Sequence, residues 1–348
     1  MEKSQSLAAI LKGPKNLCLE KREIPTPKVN EALVEVKACA ICGSDFHLID
    51  GHTKRARLPV VPGHELMGKV LDVGKNISRD IIGNRVCIEN HVACGECRYC
   101  KKNRENLCNN SRSIGTTIDG GYSQHVIAPA NKLVPIPDEL DDATASVMQT
   151  LATGYHVVNN RAKLEKNETV AIIGVGPIGL CTLVCAKQIG SRVIVIDTVE
   201  DRLSLAKKMG ADETINVTEE DPVEKVKSLT DGEGVEVSFE IVGGNQPKTI
   251  QQSVEMLCKG GRAVIVGVSG MENIPIDFGP IQHLEKVIIG SRGHPYSFQP
   301  CIDHVIAGNL DVSEMITHQI PLSMVEEGIK MMRERKDGAV KVVLIPNE

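Results

Sequence analysis

The segment TVAIIGVGPIGLCTLVCAKQI, residues 169–189, decides the fold of the second half of the chain. Its apolar residues 169–173 predict a buried strand, and residues 180–189 predict a helix. Between them stand Gly174, Val175, Gly176, Pro177, Ile178 and Gly179, a G-x-G-x-x-G sequence in its required strand, turn and helix context. The first glycine permits a tight turn, the second lets a pyrophosphate approach the backbone, and the third lets helix and strand pack closely. The segment therefore predicts a dinucleotide-binding unit.

The strand that follows this motif ends in an acidic residue. Residues 192–196 form the predicted strand, and Asp197 comes directly after it, 18 residues beyond the last glycine of the motif. A carboxylate at this position hydrogen-bonds the 2′-hydroxyl of a ribose and would repel a 2′-phosphate. Thr198 and Val199 offer no cation, and Arg202 on the next predicted helix is the first one downstream. We therefore expect NAD rather than NADP, with Asp197 and Arg202 among its contacts.

Strands and helices alternate through the rest of this half. Further strands are predicted at residues 213–216, 235–240, 261–266 and 286–290, and helices at residues 201–209, 222–228 and 246–258. This alternation is typical of a doubly wound parallel sheet, and six strands complete a Rossmann sheet. Since 348 residues are too many for one ordinary core, we expect two domains.

The first half contains short predicted strands separated by proline and glycine, at residues 17–19, 32–37, 67–73, 84–89 and 122–128. They predict an antiparallel or mixed β-domain, barrel-like in form. The Rossmann strands are complete by residue 290, so we expect the last ~60 residues to return to this first domain.

Possible zinc ligands cluster between residues 42 and 65. The two sequences are Cys42-Gly43-Ser44-Asp45-Phe46-His47 and Pro62-Gly63-His64-Glu65. Zinc accepts sulfur, nitrogen and oxygen donors alike, so Cys42, His64 and Glu65 make a plausible set. Predicted strands at residues 32–37 and 58–61 lead to the two sequences, and the adjacent glycines allow sharp turns that aim the side chains together. The alternative is that the cysteine and histidine are packed core residues.

A second group of cysteines lies in a polar segment. Cys94, Cys97, Cys100 and Cys108 form a C-x2-C-x2-C-x7-C arrangement. Four thiolates so close in sequence can surround one zinc ion tetrahedrally and leave no position for a substrate. An iron-sulfur cluster is the competing interpretation, but the ferredoxin pattern closes with a three-residue gap and a proline. We therefore predict a structural zinc in a lobe at residues 91–110.

Composition narrows the class of protein further. The net charge of −5 and 2% aromatic content argue against a nucleic-acid binder, and no apolar run is long enough to span a membrane. The N-terminus shows no signal-peptide core, and twelve cysteines are typical of a reducing compartment, so we expect a cytoplasmic protein. Cys39 forms a C-x-x-C with Cys42, but no clear helix is predicted after Cys42, and we interpret Cys39 as a packed thiol rather than a redox site.

Five features follow one another along the chain: the zinc-ligand sequences, Gly83-Asn84-Arg85-Val86, the four-cysteine lobe, Gly120-Gly121-Tyr122 and Gly174 to Gly179. In this order and spacing they resemble the zinc-dependent medium-chain alcohol and polyol dehydrogenases. The resemblance covers essentially the whole chain. It implies an α/β protein with a central Rossmann domain at residues 154–291. It also implies a chaperonin-10-like β-barrel catalytic domain at residues 1–153 and 292–348. Homodimers or homotetramers are implied as well, often joined through the edge strand at residues 286–290.

The resemblance also implies roles for individual residues. Cys42 and His64 would be ligands of a catalytic zinc, and Glu65 a ligand or a close neighbour of one. Ser44 would take the alcohol proton, and His47 would lie near the cofactor or the proton exit. The chemistry agrees with these roles, because a zinc Lewis acid assists loss of the hydroxyl proton while hydride passes to NAD, and the proton must then reach solvent.

One position departs from the family pattern. Polyol dehydrogenases usually have Glu-Pro where this chain has Gln149-Thr150. An amide oxygen binds zinc more weakly than a carboxylate does, so Gln149, Glu65 or water completes the catalytic zinc shell. A hydrogen-bonding role for Gln149 is the other interpretation.

The activity predicted from these features is NAD-dependent oxidation of a secondary alcohol to a ketone. The expected substrate is a small molecule such as a polyol, sugar, sugar acid or cyclitol. The alternatives are a threonine-like amino alcohol as substrate, or an NAD-binding zinc protein without turnover.

Overall fold

A computed structural model describes residues 5–244, 246–267 and 273–347. The chain divides into two compact units. The first takes in the described residues of Met1–Gln149, Phe298–Ile306 and Ile316–Glu348, and the second takes in those of Thr150–Ser297 and Ala307–Met315. The domain boundaries given above stay a prediction.

The N-terminal part of the first unit is mainly strand. Its strands are β1 (Gln5–Gly13), β2 (Asn16–Glu23), β3 (Glu31–Ala40), β4 (Glu65–Val73), β5 (Arg85–Ile88), β6 (His91–Val92), β7 (Arg112–Ser113), β8 (His125–Pro129) and β9 (Leu133–Pro135). Its helices are α1 (Gly43–Ile49) and α2 (Asp142–Ser146), and α3 (Met148–Tyr155) begins at its end.

The second unit alternates strand and helix. Its strands are β10 (Thr169–Ile173), β11 (Arg192–Asp197), β12 (Glu213–Asn216), β13 (Val235–Glu240), β14 (Leu257–Ile265) and β15 (Val287–Gly290). Its helices after α3 are α4 (Pro177–Ile189), α5 (Glu200–Lys208), α6 (Pro222–Ser228), α7 (Pro247–Glu255) and α8 (Phe278–His283). The strand order is β12-β11-β10-β13-β14-β15, and all neighbouring strands are parallel. The chain adds strands outward from β10 to β12 on one side and then from β13 to β15 on the other. This is the doubly wound Rossmann order, which confirms the prediction.

The C-terminal segment adds α9 (Phe298–Ile306), β16 (Ile316–Pro321), α10 (Val325–Glu334) and β17 (Lys341–Ile345). The seven-stranded sheet of the first unit has the order β16-β17-β3-β4-β5-β9, with β8 paired to β3. Because β17 pairs with β3 at Val343 and Ala40, the C-terminal strand lies directly beside the strand that leads to Cys42. Among the described residues, no helix has the length and apolar character needed to cross a bilayer.

Two local predictions are wrong. Residues 58–61 form no strand; Val60 alone exchanges two backbone hydrogen bonds with Leu11, of 2.8 and 3.1 Å. Pro59 and Pro62 have no N–H to donate, so a strand ladder cannot extend through them. A helix does follow Cys42, because α1 begins at Gly43. The packed interpretation of Cys39 still fits its complete burial.

Candidate active site and metal centres

The turn from β3 into α1 positions the first group of candidate ligands. Cys42 caps α1, and its backbone N–H donates to Oδ2 of Asp45 at 3.0 Å. A carboxylate three residues into a helix satisfies a free backbone donor in this way and fixes the direction of the chain. The sulfur of Cys42 is therefore held at the end of β3, beside β4.

His64 is oriented by the same carboxylate. Its Nδ1 lies 3.2 Å from Oδ1 of Asp45, and its Nε2 lies 3.4 Å from Oγ of Ser44. Oδ2 of Asp45 also accepts a hydrogen bond from the hydroxyl of Tyr122 at 2.7 Å. Metal-binding histidines commonly donate one ring nitrogen to a carboxylate, which leaves the other nitrogen for the metal. Here Nε2 is the nitrogen on the Cys42 and Ser44 side.

Gly63 allows His64 to reach this position. Its φ is +91°, in the region that favours glycine. A Cβ on Gly63 would lie 2.4 Å from Cδ1 of Tyr122 and 2.8 Å from the sulfur of Cys39. The backbone before His64 therefore packs directly on the tyrosine that supports Asp45.

Glu65 completes the first group. One ligand atom each of Cys42, His64 and Glu65 lies within 4.8 Å of the other two. Oε2 of Glu65 also lies 2.5 Å from Nζ of Lys341 on β17, and both side chains are 1% exposed. A buried carboxylate needs such a partner, since an unpaired charge in the interior is strongly unfavourable. The lysine also donates to the carbonyl of Ile41 at 3.3 Å.

The neighbouring groups in this cluster shift the pKa values of His64 and Asp45. Burial alone would lower the pKa of His64, but the Asp45 carboxylate and Cys42 raise that pKa well above its ordinary value. Burial would likewise raise the pKa of Asp45, yet His64 and the donors from Cys42 and Tyr122 lower it. His64 therefore has a strong affinity for a positive charge, which a proton or a metal ion can supply.

The other candidates of this site also lie in the first unit. Ser44 is exposed, and its hydroxyl lies 3.3 Å from the sulfur of Cys42. His47 is exposed one turn later on α1, and its ring centroid is 6.4 Å from that of His52. Gln149 is half-buried in the first turn of α3.

The four lobe cysteines converge as a second candidate metal centre. Their sulfurs all lie within 4.8 Å of one another, with separations of 3.5 Å for Cys97 to Cys100 and for Cys94 to Cys108. A hydrogen bond from the backbone N–H of Cys100 lowers the pKa of the Cys97 thiol to about 6, whereas burial raises that of Cys100 to about 12. Four sulfurs at these distances fit a tetrahedral zinc site with no open position.

The glycines of the second unit shape the turn between β10 and α4. Gly174 has φ +92° directly after β10, and Gly176 caps α4, with Pro177 and Ile178 as the first helical residues. A Cβ on Gly179 would lie 2.1 Å from the carbonyl oxygen of Gly174, so the helix can approach the turn only with glycine here. A Cβ on Gly176 would meet nothing closer than the guanidinium of Arg202, at 4.0 Å. Open space above backbone amides at a helix N-terminus fits a pyrophosphate.

Asp197 stands beside this cradle at the end of β11. Its carboxylate accepts backbone hydrogen bonds from Val175 at 2.9 Å, Thr198 at 2.7 Å and Val199 at 3.1 Å. Nη1 of Arg202 lies 3.9 Å from Oδ2. The carboxylate is thus fixed between the first glycine turn and the start of α5, with one cation at its edge.

Sequence reasoning did not single out three residues that support the first metal centre. Asp45 could have been found from its position three residues after a candidate ligand, where a carboxylate caps a helix. Tyr122 was noted as part of the Gly120-Gly121-Tyr122 sequence, but nothing local showed that its hydroxyl would reach Asp45. Lys341 gave no signal, because its pairing with Glu65 depends on the register of β17 against β3.

Comparisons with known proteins agree with this geometry. Residues 28–138 match the alcohol dehydrogenase GroES-like domain family, and residues 177–307 match the zinc-binding dehydrogenase family. Sorbitol dehydrogenase of Bacillus subtilis is 31% identical over 98% of this chain and 97% of its own. D-arabitol-phosphate dehydrogenase of Enterococcus avium is 34% identical over 93% of each. L-threonine 3-dehydrogenase of Bacillus subtilis is 36% identical over 93% of this chain and 94% of its own.

Solved structures are similar over the whole chain. A protein described as a zinc-binding dehydrogenase from Sinorhizobium meliloti, bound to NADP, has a TM-score of 0.94 and 32% identity, and covers 99% of this chain and 100% of its own. An alcohol dehydrogenase from Escherichia coli, complexed with NADH, has a TM-score of 0.92 and 29% identity with the same coverage. The predicted pairing of a GroES-like domain with a Rossmann domain is confirmed.

Proposed function

This chain belongs to the zinc-dependent alcohol dehydrogenase family, and we propose that it oxidises a polyol-like secondary alcohol with NAD, using a zinc ion held by Cys42 and His64. The observation that carries the proposal is the convergence of Cys42, His64 and Glu65 within 4.8 Å beside an exposed hydroxyl, that of Ser44. Zinc would supply a Lewis acid that lowers the pKa of the alcohol, and NAD would supply the hydride acceptor.

The residues of the chain orient the metal and its ligands. Asp45 fixes the His64 ring so that Nε2 faces the sulfur of Cys42. Lys341 forms a buried ion pair with Glu65 and so fixes the position of its side chain next to both ligands. Gln149, Glu65 or water would complete the coordination of the zinc ion. Unchanged zinc affinity in a Gln149→Ala variant would exclude Gln149 as a ligand.

Ser44 and His47 suit the transfer of a proton. The hydroxyl of Ser44 lies against both proposed ligands, where it can accept the proton of a substrate hydroxyl and donate its own. His47 follows three residues later, so it lies on the same face of α1, and its ring is exposed. The proton can leave from Ser44 towards His47 and then to water.

The second unit favours NAD. The glycine turn leaves room for the pyrophosphate, and Asp197 lies where the 2′-hydroxyl of the ribose would be. The Asp197 carboxylate is held by three backbone N–H groups, so it cannot easily turn away from a 2′-phosphate. Arg202 is the residue that would weaken this preference for NAD over NADP.

The substrate class follows from the relatives. As their names state, sorbitol dehydrogenase acts on a polyol and D-arabitol-phosphate dehydrogenase on a polyol phosphate, which favours a polyol, sugar, sugar acid or cyclitol here. A threonine-like amino alcohol is the second candidate, because an L-threonine 3-dehydrogenase is also 36% identical.

Assembly and location complete the proposal. β15 is an edge strand on which Val287 and Ile288 are 47% and 36% exposed, so a homodimer or homotetramer through this edge is expected. All twelve cysteines lie among the described residues and none of them forms a disulfide, which favours the reducing cytoplasm.

The test is nicotinamide reduction by zinc-loaded protein with polyols, sugars, sugar acids, cyclitols and threonine, with NAD and NADP in parallel. We expect turnover of a polyol-like compound with NAD, and a loss of at least about a hundredfold in kcat for Ser44→Ala. Ser228→Ala, an exposed serine at the end of α6, is the matched control. Turnover of threonine alone would select the second candidate, and no turnover with any compound would refute the proposal.

A further inference from the structure

The loop between α1 and Val60 carries a cluster of cations. Lys54, Arg55 and Arg57 are all exposed, and none of the three makes an ion pair within 4 Å with a carboxylate of the described residues. The chain as a whole carries a net charge of −5, so this positive cluster is opposite in sign to the net charge of the protein. We refer to Lys54, Arg55 and Arg57 as the basic loop.

The basic loop is attached to the candidate active site at both ends. Before it, the backbone N–H of His52 donates to the carbonyl of His47 on α1 at 2.9 Å. Within it, the N–H of Arg57 donates to the carbonyl of Thr116 at 3.1 Å. The neighbouring Gly115 packs on Gly63, since a Cβ there would lie 2.8 Å from the Gly63 carbonyl oxygen. The loop therefore spans from the helix that carries Ser44 to the turn that carries His64.

The acidic residues that flank the loop are already paired. Asp50 lies 2.7 Å from Nη1 of Arg333, and Asp119 lies 2.7 Å from Nη1 of Arg22. Each carboxylate therefore already has its own cation, and Lys54, Arg55 and Arg57 stay available for a ligand. The backbone contacts place this loop between the helix that carries Ser44 and the turn that carries His64. An unpaired cluster of cations is suited to an oxyanion, to which arginine can donate two hydrogen bonds at once.

From these contacts we infer that the basic loop binds an anionic group on the substrate, distant from the hydroxyl that is oxidised. The inference rests on the proposed function and narrows its substrate class to polyols that bear a phosphate monoester or a carboxylate. Both groups offer the oxygen acceptors that Lys54, Arg55 and Arg57 can bind, and neutral sugar alcohols do not supply the charge.

The test compares a hexitol, its phosphate monoester and the corresponding hexonate, with NAD and zinc-loaded protein. We expect kcat/KM for one of the two anions to exceed that of the hexitol by at least about tenfold, and to fall as salt is raised. In the variant Lys54→Gln, Arg55→Gln, Arg57→Gln, kcat/KM for that anion should fall by about a hundredfold, mainly through KM, with the hexitol unaffected. The preferred anion distinguishes a phosphate from a carboxylate.

A matched control removes three exposed lysines elsewhere in the same unit. Lys28→Gln, Lys69→Gln and Lys75→Gln change the charge equally, and Lys28 and Lys75 lie beyond the far end of the β3–β4 pair, about 30 Å of strand from the ligands. This control should behave as the unmodified protein does. Equal effects of the two triple variants, or equal effects on anion and hexitol, would overturn the inference.

The two proposals can fail separately. Turnover of the hexitol with no preference for either anion would refute the anionic substrate and leave the dehydrogenase proposal intact. If no compound reduces NAD, calorimetric titration with inorganic phosphate still tests the loop. Phosphate binding that disappears only in the basic-loop variant would support the inference, and binding to neither or to both proteins would overturn it.

Discussion

Oδ1 of Asp45 lies 3.2 Å from Nδ1 of His64, and the other oxygen of the same carboxylate accepts hydrogen bonds from the Tyr122 hydroxyl and the Cys42 backbone. One buried side chain therefore orients both candidate ligands. We expect Asp45→Asn to lower the affinity of the catalytic zinc by about 10- to 100-fold, because the amide cannot favour the required histidine tautomer as an anion does. Competition with a chelator measures this affinity.

The control for this variant is Asp72→Asn. Asp72 is a partly exposed carboxylate on β4, far along the strand from Glu65. It should leave zinc affinity unchanged. If the Asp45→Asn protein binds zinc as tightly as the control does, Asp45 does not orient the zinc ligands.

The four-cysteine lobe should depend on its metal for stability. Few apolar residues are buried between residues 91 and 110, so the sulfur cluster takes the place of a core. We expect Cys100→Ser to lose one of two zinc ions per chain and to lower the thermal midpoint clearly. Metal analysis and thermal unfolding measure the two effects, with Cys18→Ser, a half-buried thiol outside both centres, as the control. Two ions retained by Cys100→Ser would contradict this assignment.

Glu240 gives a prediction of pH dependence. It is fully buried at the end of β13, and burial raises its pKa to about 7 although Thr249, Val242 and Gln246 donate hydrogen bonds to it. Between its ordinary value near 4.5 and 7, the folded protein keeps a proton that the unfolded chain has lost. The contribution of this group to the free energy of unfolding therefore falls as pH rises through this window, by about 1.4 kcal/mol per pH unit.

The variant Glu240→Gln removes this titration. The free energy of unfolding of the variant minus that of the unmodified protein should rise from pH 4.5 to 7 and become constant above 7. Denaturant unfolding at a series of pH values measures the difference, and the unmodified protein is its own control for all other titrating groups. A difference that does not change over the window would show that Glu240 titrates normally.

Asp197 should control the choice of cofactor. Asp197→Asn removes the negative charge and keeps one oxygen, which can replace Oδ1 as the acceptor for the N–H groups of Thr198 and Val199 but leaves the bond from Val175 to Oδ2 without an acceptor. We expect the ratio of kcat/KM for NADP to that for NAD to rise by at least about tenfold. Initial-rate kinetics with both cofactors measure the ratio. Asp201→Asn, on α5 outside the described contacts of Asp197, is the control, and an unchanged ratio in Asp197→Asn would contradict the role.

The Rossmann sheet was predictable because β10 and β11 are nearly continuous apolar runs around a glycine motif, and because the later strands alternate with helical segments. The metal ligand sequences were predictable for a similar reason, since their spacing is local. The strand predicted at residues 58–61 was an avoidable error, because Pro59 and Pro62 stand in the sequence and proline cannot donate to a ladder. Lys341 could not be found from the sequence, as its contact with Glu65 joins residues that are 276 positions apart.

The most direct test of the account is the metal content and turnover of Cys42→Ser. If Cys42 holds the catalytic zinc, the variant keeps one zinc ion per chain in the four-cysteine lobe, still binds NAD, and no longer reduces NAD with the substrate found for the unmodified protein. A Cys42→Ser protein that retains two zinc ions or reduces NAD at the original rate would contradict the central claim.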